Sequence, residues 1–347
     1  MRHTRHHYGA PLLLTIVRCL QGFSAGGEYA GACAYVMEHA PHRRRAFYGS
    51  FLPVSTFLSF AAAAVVAFAL EGVLSASAMN SWGWRVPFLA AAPVGLIGLY
   101  LRLNLQETPA FQALQERSEV AHAPLLDTLR SQSGSILKLG AFISVTALSF
   151  YTFTTYFATY LQVAGKLSSE TALLVTVLAL CVAAALCPLA GRLCDLVGRR
   201  ATIFGTCLFI ILTVYTSFAL GGSGQLVESL LGVGILAVGA VLSGVVTAPL
   251  LSEVFATRTR YTASAITYNL AYTLFGGTAP LVATWLIAKT GDDLAPAYYL
   301  IAISLLAMAG GLGLRETSTS SLHAAGLDNA HGSPAGEPTT ASSAAAS

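Results

Sequence analysis

The sequence is poor in charged residues, which make up 10% of its 347 positions. A soluble domain carries about 25% charged residues. With so few charges, and with 55% hydrophobic residues, the chain lacks the polar surface that a water-soluble core needs. This shortage excludes an ordinary soluble domain and predicts a chain whose folded surface faces lipid.

Cysteine and histidine show no pattern typical of a metal site or a disulfide framework. The six cysteines have no CxxC or other paired spacing: Cys19, Cys33, Cys181, Cys187, Cys194 and Cys207. We interpret His3, His6 and His7 as part of a polar terminus rather than as metal ligands. Because no apolar segment contains paired aspartates, a Ser–His arrangement or HExxH, we predict no metal, no cofactor and no enzymatic activity.

Long apolar runs dominate what is present. A membrane-spanning helix needs about 20 mostly apolar residues. Nine segments fit this requirement approximately: 11–38, 50–71, 87–105, 136–162, 171–193, 201–221, 227–252, 263–288 and 296–314. The sequence therefore predicts an all-α integral membrane protein with about nine transmembrane helices.

The polar stretches between these segments divide the chain into four parts. Residues 1–105 hold three predicted helices, 106–135 form a cytoplasmic linker, and 136–315 hold six more helices. Residues 316–347 are rich in Ser, Ala, Thr, Gly and Pro. Such a composition buries too little apolar surface to offset the entropy of ordering, so we predict a disordered cytoplasmic tail.

The positive charges are distributed unequally between the two sides of the membrane. With the loop after the first segment in the cytoplasm, thirteen Lys and Arg residues lie inside and three lie outside (Arg85, Lys166 and Lys289). Cytoplasmic loops carry the excess of positive charge, so this asymmetry predicts the orientation. The inside set is Arg43, Arg44, Arg45, Arg102, Arg117, Arg130, Lys138, Arg192, Arg199, Arg200, Arg258, Arg260 and Arg315.

An internal repeat relates the exits of the first and seventh segments. Glu253 lies 215 residues after Glu38 (253 minus 38), and the same shift places Arg43 and Arg45 on Arg258 and Arg260. Transporters are often built from such repeats. The seventh segment is the fourth helix of its block, so by symmetry three helices, roughly 90–110 residues, would precede Met1. We expect the nine helices to be equivalent to helices 4–12 of twelve.

Arg18, Gln21 and Glu28 are polar residues within the first apolar segment. On a helix that turns ~100° per residue, they lie within about 80° of one another. A charged side chain at membrane depth is expensive unless it faces a polar cavity or a partner. We predict that these residues line a cavity and act in substrate binding or proton coupling. The alternative is pairing with groups on other helices.

A second motif, "GRLCDLVGRR", forms a short turn between two apolar segments. Its charges can pair across neighbouring helix ends, and such pairs can break when two halves of a protein rock. We predict a gating role for Gly191, Asp195, Gly198, Arg199 and Arg200. The repeat residues Glu38, Arg43, Arg45, Glu253, Arg258 and Arg260 belong to the same predicted gate. The alternative is that these charged residues only determine the orientation of the helices in the membrane.

Two further segments combine aromatic and polar residues within apolar runs. "FYTFTTYFATY" contains Tyr151 and Tyr156, and "YNLAYTLFGGTAP" contains Tyr268 and Asn269. Glycine and proline in the second can bend the helix, which membranes tolerate where the backbone lines a cavity. We predict that these four residues contribute to a substrate site, although aromatic packing or an interfacial belt would also explain the first segment.

These motifs, together with "RCLQGFSAGGEYAGACAY", "RRRAFYGS", "SWGWRVPFL" and "ETPAF", resemble the metabolite:proton symporter family of the major facilitator superfamily. The resemblance extends from Pro11 to Arg315. It implies a major facilitator fold and proton-coupled uptake by alternating access. It also implies coupling at Arg18 and gating at Asp195, Arg199 and Arg200. The family's first three helices, with the first copy of the gating turn, have no counterpart here.

The resemblance leaves the substrate open. We expect a small organic acid such as 2-oxoglutarate or citrate, with proline or glycine betaine as the alternative. A third possibility is a truncated, transport-inactive fragment. The expected setting is a bacterial inner membrane with several crossings, and the expected partners are the substrate, protons and lipid. No nucleic acid is expected, and no oligomer is required.

Overall fold

The computed structural model describes residues 13, 17, 27–104, 124–256 and 259–318. All long elements in this part of the chain are helices, which we label α1 to α9. They are α1 (27–39), α2 (Phe51–Val73), α3 (Val86–Asn104), α4 (Ser133–Val163), α5 (Ser169–Val197), α6 (Arg199–Gly221), α7 (Leu226–Glu253), α8 (Arg260–Thr290) and α9 (Ala295–Leu312).

Eight of the predicted apolar segments form helices that are long and apolar enough to cross a membrane, namely α2 to α9. Most of the first predicted segment lies outside the described residues, and its described end forms α1. Large apolar side chains such as Leu137, Leu189 and Leu281 are exposed on the helix surfaces. Contiguous apolar surface of this extent is compatible with lipid and not with water. The chain is a multi-pass membrane protein.

Polar side chains and glycine mark several helix ends. Ser168 Oγ accepts a hydrogen bond of 3.2 Å from the Thr171 backbone N–H at the start of α5, as a serine N-cap does. Gly198, with a φ of 93°, separates α5 from α6, and Gly291, with a φ of 70°, ends α8. Residues with side chains rarely adopt these conformations, so glycine allows the direct turn from α5 into α6.

Short helices lie between the long ones. They comprise Arg45–Gly49, Ala76–Ser81 and Pro124–Ser131. The last lies within the predicted linker, and α4 begins at Ser133, three residues before the predicted start at 136. The first part of the predicted linker, residues 106–123, lies outside the described part.

The six helices α4 to α9 pack into one bundle, in which α6 contacts α7 and α9, and α4 contacts α9. The earlier block packs against this bundle mainly through α2 and the short helix Arg45–Gly49, both of which contact α5. α1 contacts α8 instead. The short helix also contacts α7. The molecule therefore has an interface between an earlier and a later block, and both sites described below lie on it.

Candidate functional site

A cavity of about 550 Å³ lies between the two blocks, within the usual size range of small-molecule sites. Its walls come from α1, α2, α4, α7 and α8. None of the described residues that line it is charged. The lining residues are Tyr29, Pro53, Thr56, Phe57, Phe60, Thr146, Phe150, Tyr151, Ala240, Gly244, Tyr268, Asn269, Tyr272, Thr273 and Gly277.

Three tyrosines form a stack on one wall of this cavity. The ring centroids of Tyr29 and Tyr268 lie 4.3 Å apart with an interplanar angle of 16°. Those of Tyr268 and Tyr272 lie 4.0 Å apart at 24°. We call Tyr29, Tyr268 and Tyr272 the tyrosine stack. Because Tyr29 belongs to α1 and the other two to α8, the stack joins the two blocks.

Two π-helical turns position the aromatic walls. The turn Thr152–Tyr156 follows Tyr151 in α4, and the turn Tyr272–Gly276 begins at a stack residue in α8. Such turns are frequent at functional sites because they re-aim side chains within a helix. A Cβ at Gly276 would lie 2.7 Å from Cδ2 of Tyr151. Glycine at this position therefore lets α8 approach α4 closely enough for Tyr151 and Tyr272 to share the cavity.

The predicted substrate residues divide into three groups. Tyr151, Tyr268 and Asn269 line the cavity, and Asn269 Nδ2 donates a 2.7 Å hydrogen bond to the backbone oxygen of Ala265. Tyr156 is buried but is not among the lining residues. The side chain of Glu28 is exposed next to the stack residue Tyr29, also outside the lining set.

The remaining two predicted residues of this site, Arg18 and Gln21, lie outside the described part of the chain. Sequence reasoning did not select Tyr29 and Tyr272 as site residues, although both lie within the motifs that it quoted. The signal that could have identified Tyr272 is its spacing from Tyr268, which places both on one helix face; no comparable signal marks Tyr29.

A second group of polar residues, the charge cluster, lies at the arginine-rich end of the bundle. It comprises Glu38, Arg45, Asp195, Arg199, Glu253 and Arg260, so that three guanidinium groups face three carboxylates. Arg199 and Glu253 are only 1% and 2% exposed. Charges buried this deeply are tolerated when they are paired and hydrogen-bonded.

Arg199 lies at the centre of the charge cluster. Its Nε donates to Glu253 Oε2 at 3.2 Å and its Nη2 to Glu253 Oε1 at 3.2 Å. This two-point contact is the strong form of an Arg–carboxylate pair. Nη1 donates to Asp195 Oδ1 at 2.9 Å. Arg199 thus connects the C-terminal end of α7 to the C-terminal end of α5.

The repeat residues pair crosswise between the two blocks. Arg45 Nη1 lies 3.5 Å from Glu253 Oε1, and Arg260 Nη1 lies 3.5 Å from Glu38 Oε1. The repeat predicted from the sequence makes Glu38 equivalent to Glu253 and Arg45 equivalent to Arg260. Each arginine therefore contacts the glutamate of the opposite block at the same distance, as expected for two repeats related by a pseudo-two-fold axis.

Asp195 and Gly191 form a close contact between the blocks. Asp195 Oδ1 and Oδ2 accept hydrogen bonds from the backbone N–H groups of Ala46 and Phe47, each at 2.9 Å. These N–H groups lie in the first turn of the helix Arg45–Gly49, where a carboxylate is favoured. One turn earlier, a Cβ at Gly191 would lie 2.7 Å from the Ala46 oxygen. Glycine is thus required for this approach.

The chain after α9 returns to the charge cluster. Glu316 Oε1 and Oε2 accept hydrogen bonds from the backbone N–H groups of Arg199 and Arg200 at 2.9 and 2.8 Å. Partial burial raises the pKa of the Glu316 carboxyl, but hydrogen bonds from Arg200, Arg199 and Ser318 lower it to below its ordinary value. Glu316 is the first residue of the tail that we predicted to be disordered, and residues 319–347 lie outside the described part.

The other predicted gating residues have different surroundings. The guanidinium of Arg200 lies 5.8 Å from the ring of Phe204, and the Arg43 side chain is exposed. Arg258 lies outside the described residues. Gly198 occupies the turn between α5 and α6, where its φ of 93° requires glycine.

The sequence of the chain is similar to those of several bacterial transporters. It is 35% identical to the ectoine/proline transporter ProP of Corynebacterium glutamicum, over 89% of this chain and 64% of the relative. It is 39% identical to a putative proline/betaine transporter of Staphylococcus aureus (86% and 64%) and 32% identical to the proline/betaine transporter of Salmonella typhimurium (91% and 65%). The chain thus spans about 64% of the length of the first two relatives.

The fold is similar to that of solved transporters. The proton:xylose symporter XylE bound to 6-bromo-6-deoxy-D-glucose matches with a TM-score of 0.59 at 21% identity, over 85% of this chain and 70% of that one. A double tryptophan mutant of XylE matches with a TM-score of 0.61. The sequence model of the Major Facilitator Superfamily matches residues 8–280. With this match over most of its length, the chain belongs to the Major Facilitator Superfamily.

Proposed function

We propose that this chain transports a small zwitterionic solute of the proline, betaine or ectoine type together with protons, by alternating access, in a bacterial inner membrane. The observation that carries the proposal is the tyrosine-lined cavity between the two blocks, whose described lining residues carry no charge. The proline/betaine and ectoine/proline transporters among the relatives support the same class of substrate.

The chemistry of the cavity suits a ligand that is charged locally but neutral overall. A substituted ammonium group is attracted to the face of an aromatic ring, and this attraction is stronger where water is excluded. Tyr29 and Tyr272, at the two ends of the tyrosine stack, and Tyr151 supply such faces, while Asn269 and Thr273 supply polar groups in the same cavity. A zwitterion needs no buried counter-charge, and the described lining provides none.

The same reasoning disfavours the organic acid expected from the sequence. A molecule such as citrate carries more than one negative charge, and burying it without cationic partners would be costly. The described lining residues include no Arg, Lys or His. The relatives also support proline or betaine, which was the alternative in the sequence analysis.

The charge cluster suits a gate that closes one end of the cavity pathway. Its pairs between Arg45 and Glu253 and between Arg260 and Glu38 join the two blocks. Ion pairs at an interface between rocking domains can form in one state and separate in another. We retain Arg18, Gln21 and Glu28 as proposed proton-coupling residues, and Tyr156 as a proposed support for the substrate site.

Uptake into proteoliposomes that contain the chain tests the substrate class. We expect labelled proline, glycine betaine or ectoine to accumulate when the lumen is alkaline relative to the outside, and accumulation to stop when a protonophore collapses the gradient. Accumulation of 2-oxoglutarate or citrate instead would restore the organic-acid hypothesis. Absence of uptake for all five compounds would contradict the proposal for this chain.

Substitutions of Tyr272 test the role of the tyrosine stack, because Tyr272 is an end ring of the stack and Tyr268 covers one of its faces. We expect Tyr272→Ala to raise the KM for the zwitterion roughly 10- to 30-fold, the factor that corresponds to a desolvated cation–π contact. Tyr272→Phe keeps the aromatic face and should stay within a few-fold of the original. Tyr298→Ala, at an exposed tyrosine of α9, is the matched control. Equal KM values for Tyr272→Ala and Tyr298→Ala would exclude the stack from substrate binding.

A further inference from the structure

The segment that follows α9 is fixed against the bundle. Leu314 is only 5% exposed, and its N–H donates a hydrogen bond of 3.1 Å to the Gly311 oxygen. The chain then passes the N-terminal end of α6, where Glu316, Thr317 and Ser318 lie. The described end of the chain is therefore part of the arginine-rich end of the bundle.

Glu316 supplies the N-terminal cap of α6 from a distant part of the sequence. The residue at the capping position is Gly198, which has no side chain to accept a hydrogen bond from the first turn. The Glu316 carboxylate accepts from both Arg199 and Arg200 instead. A Cβ at Gly198 would lie 2.9 Å from Glu316 Oε2, so the glycine also makes room for this carboxylate.

Thr317 contacts the central carboxylate of the charge cluster. Its Oγ1 donates a 2.7 Å hydrogen bond to Glu253 Oε2, the same oxygen that accepts from Arg199 Nε. Glu316 therefore holds the backbone of Arg199, and Thr317 holds the carboxylate with which the Arg199 side chain pairs. Two neighbouring residues thus position both members of one buried ion pair.

We propose that Glu316 and Thr317 are positioning residues of the gate, which orient Arg199 and Glu253 for their contacts with Asp195 and Arg45 and so favour the closed arginine-rich end. The inference rests on the proposed alternating access. Without the two residues, the Arg199–Glu253 pair has more freedom, its contacts to the earlier block weaken, and this end of the bundle opens more often.

Cys194 is a natural reporter of this opening. It is 0% exposed, and its Sγ lies 3.8 Å from Nη1 of Arg199. In a chain whose other five cysteines are replaced by alanine, a membrane-permeant maleimide should react slowly with Cys194 in membrane vesicles. Reaction requires that the charge cluster separate, so the labelling rate measures how often it does. No substrate is needed.

We expect Glu316→Ala and Thr317→Val each to increase the labelling rate roughly five- to tenfold, the factor that corresponds to loss of a helix cap or of a hydrogen bond to a charged group. Thr317→Ser keeps the hydroxyl and should restore the slow rate. Glu170→Ala is the matched control, since Glu170 lies exposed in the first turn of α5 and should leave the rate unchanged.

An unchanged labelling rate in Glu316→Ala and Thr317→Val would overturn the proposal. So would an equal increase in Glu170→Ala or in Thr317→Ser, because either result indicates general loosening rather than loss of these contacts. If Glu316→Ala is not recovered from membranes, Glu316→Gln carries the same test with a side chain of similar size. A chain that labels as expected but transports no zwitterion would contradict the proposed substrate and leave the positioning role intact.

Discussion

The tyrosine-lined cavity and the charge cluster share α1 and α8 but are built from opposite kinds of side chain. On α8, Tyr268 belongs to the cavity and Arg260 to the charge cluster. These residues are two helical turns apart, or ~12 Å along the axis. In the cavity, the described walls carry no charge, whereas the cluster places three guanidinium groups against three carboxylates.

Under the proposed function, this difference lets one interface hold a ligand and also open. Aromatic and hydroxyl groups can contact a neutral ligand without a large desolvation penalty, and they keep similar contacts when the helices shift slightly. Buried ion pairs depend strongly on geometry, because a separated pair leaves charges without partners. The cavity is therefore suited to binding a ligand. The charge cluster is suited to an interface between the blocks that has distinct closed and open states.

Removing the central arginine should have the largest effect. Arg199→Ala leaves the buried carboxylate of Glu253 without its two-point partner, and we expect a loss of about 3–5 kcal/mol in the free energy of unfolding. Thermal unfolding of the purified protein in detergent measures it. Arg200→Ala is the matched control, because the Arg200 side chain is exposed and its backbone N–H to Glu316 remains. If Arg199→Ala and Arg200→Ala lose similar free energies of unfolding, the buried charge cluster stabilises the protein no more than an exposed arginine does.

A methyl group at Gly191, where the two blocks approach closely, should have the next largest effect. Gly191→Ala would place a Cβ 2.7 Å from the Ala46 oxygen and 3.0 Å from the Phe47 Cα, both backbone atoms. We expect overpacking to cost about 1–3 kcal/mol, again seen in thermal unfolding. Gly234→Ala in α7 meets nothing within 4 Å and should be neutral or slightly stabilising. A neutral Gly191→Ala would show that the blocks do not depend on this contact.

Double-mutant cycles compare the two links between α1 and α8 directly. The ionic link is Glu38–Arg260, and the aromatic link is Tyr29–Tyr268. The measured quantity is the free energy of unfolding of each single and double alanine variant. From these values we expect a coupling energy of about 1–2 kcal/mol for the ionic pair and about 0.5–1.5 kcal/mol for the aromatic pair. A coupling of zero for Glu38–Arg260 would show that the crosswise ion pairs contribute nothing to the contact between the blocks.

Much of the helical architecture could be predicted from the sequence because a bilayer imposes a strict length and polarity on each crossing. Eight apolar segments became the helices α2 to α9, with ends that moved by a few residues. The scarcity of charge also made each charged residue near an apolar run conspicuous. For this reason Asp195, Arg199, Glu253 and Arg260 were identified as a group before any contact was known.

The residues that line the cavity were predicted less completely. Tyr151, Tyr268 and Asn269 were chosen and line the cavity, but Tyr29 and Tyr272 were not. A tyrosine in an apolar helix has the same appearance in sequence whether it packs, anchors at an interface or lines a cavity. Only the π turns and the approach of α1 to α8 bring the three rings of the stack together.

What the sequence by itself determined is the class of protein and its membrane-spanning helices, since composition and the length of apolar runs depend on neighbouring residues alone. It also predicted that Glu38 and Arg45 are equivalent to Glu253 and Arg260. The tertiary structure decided that each arginine pairs with the glutamate of the other block, and that Glu316 and Thr317 complete the cluster. These contacts join residues as far as 222 positions apart, and only the packing of the two blocks brings such residues together.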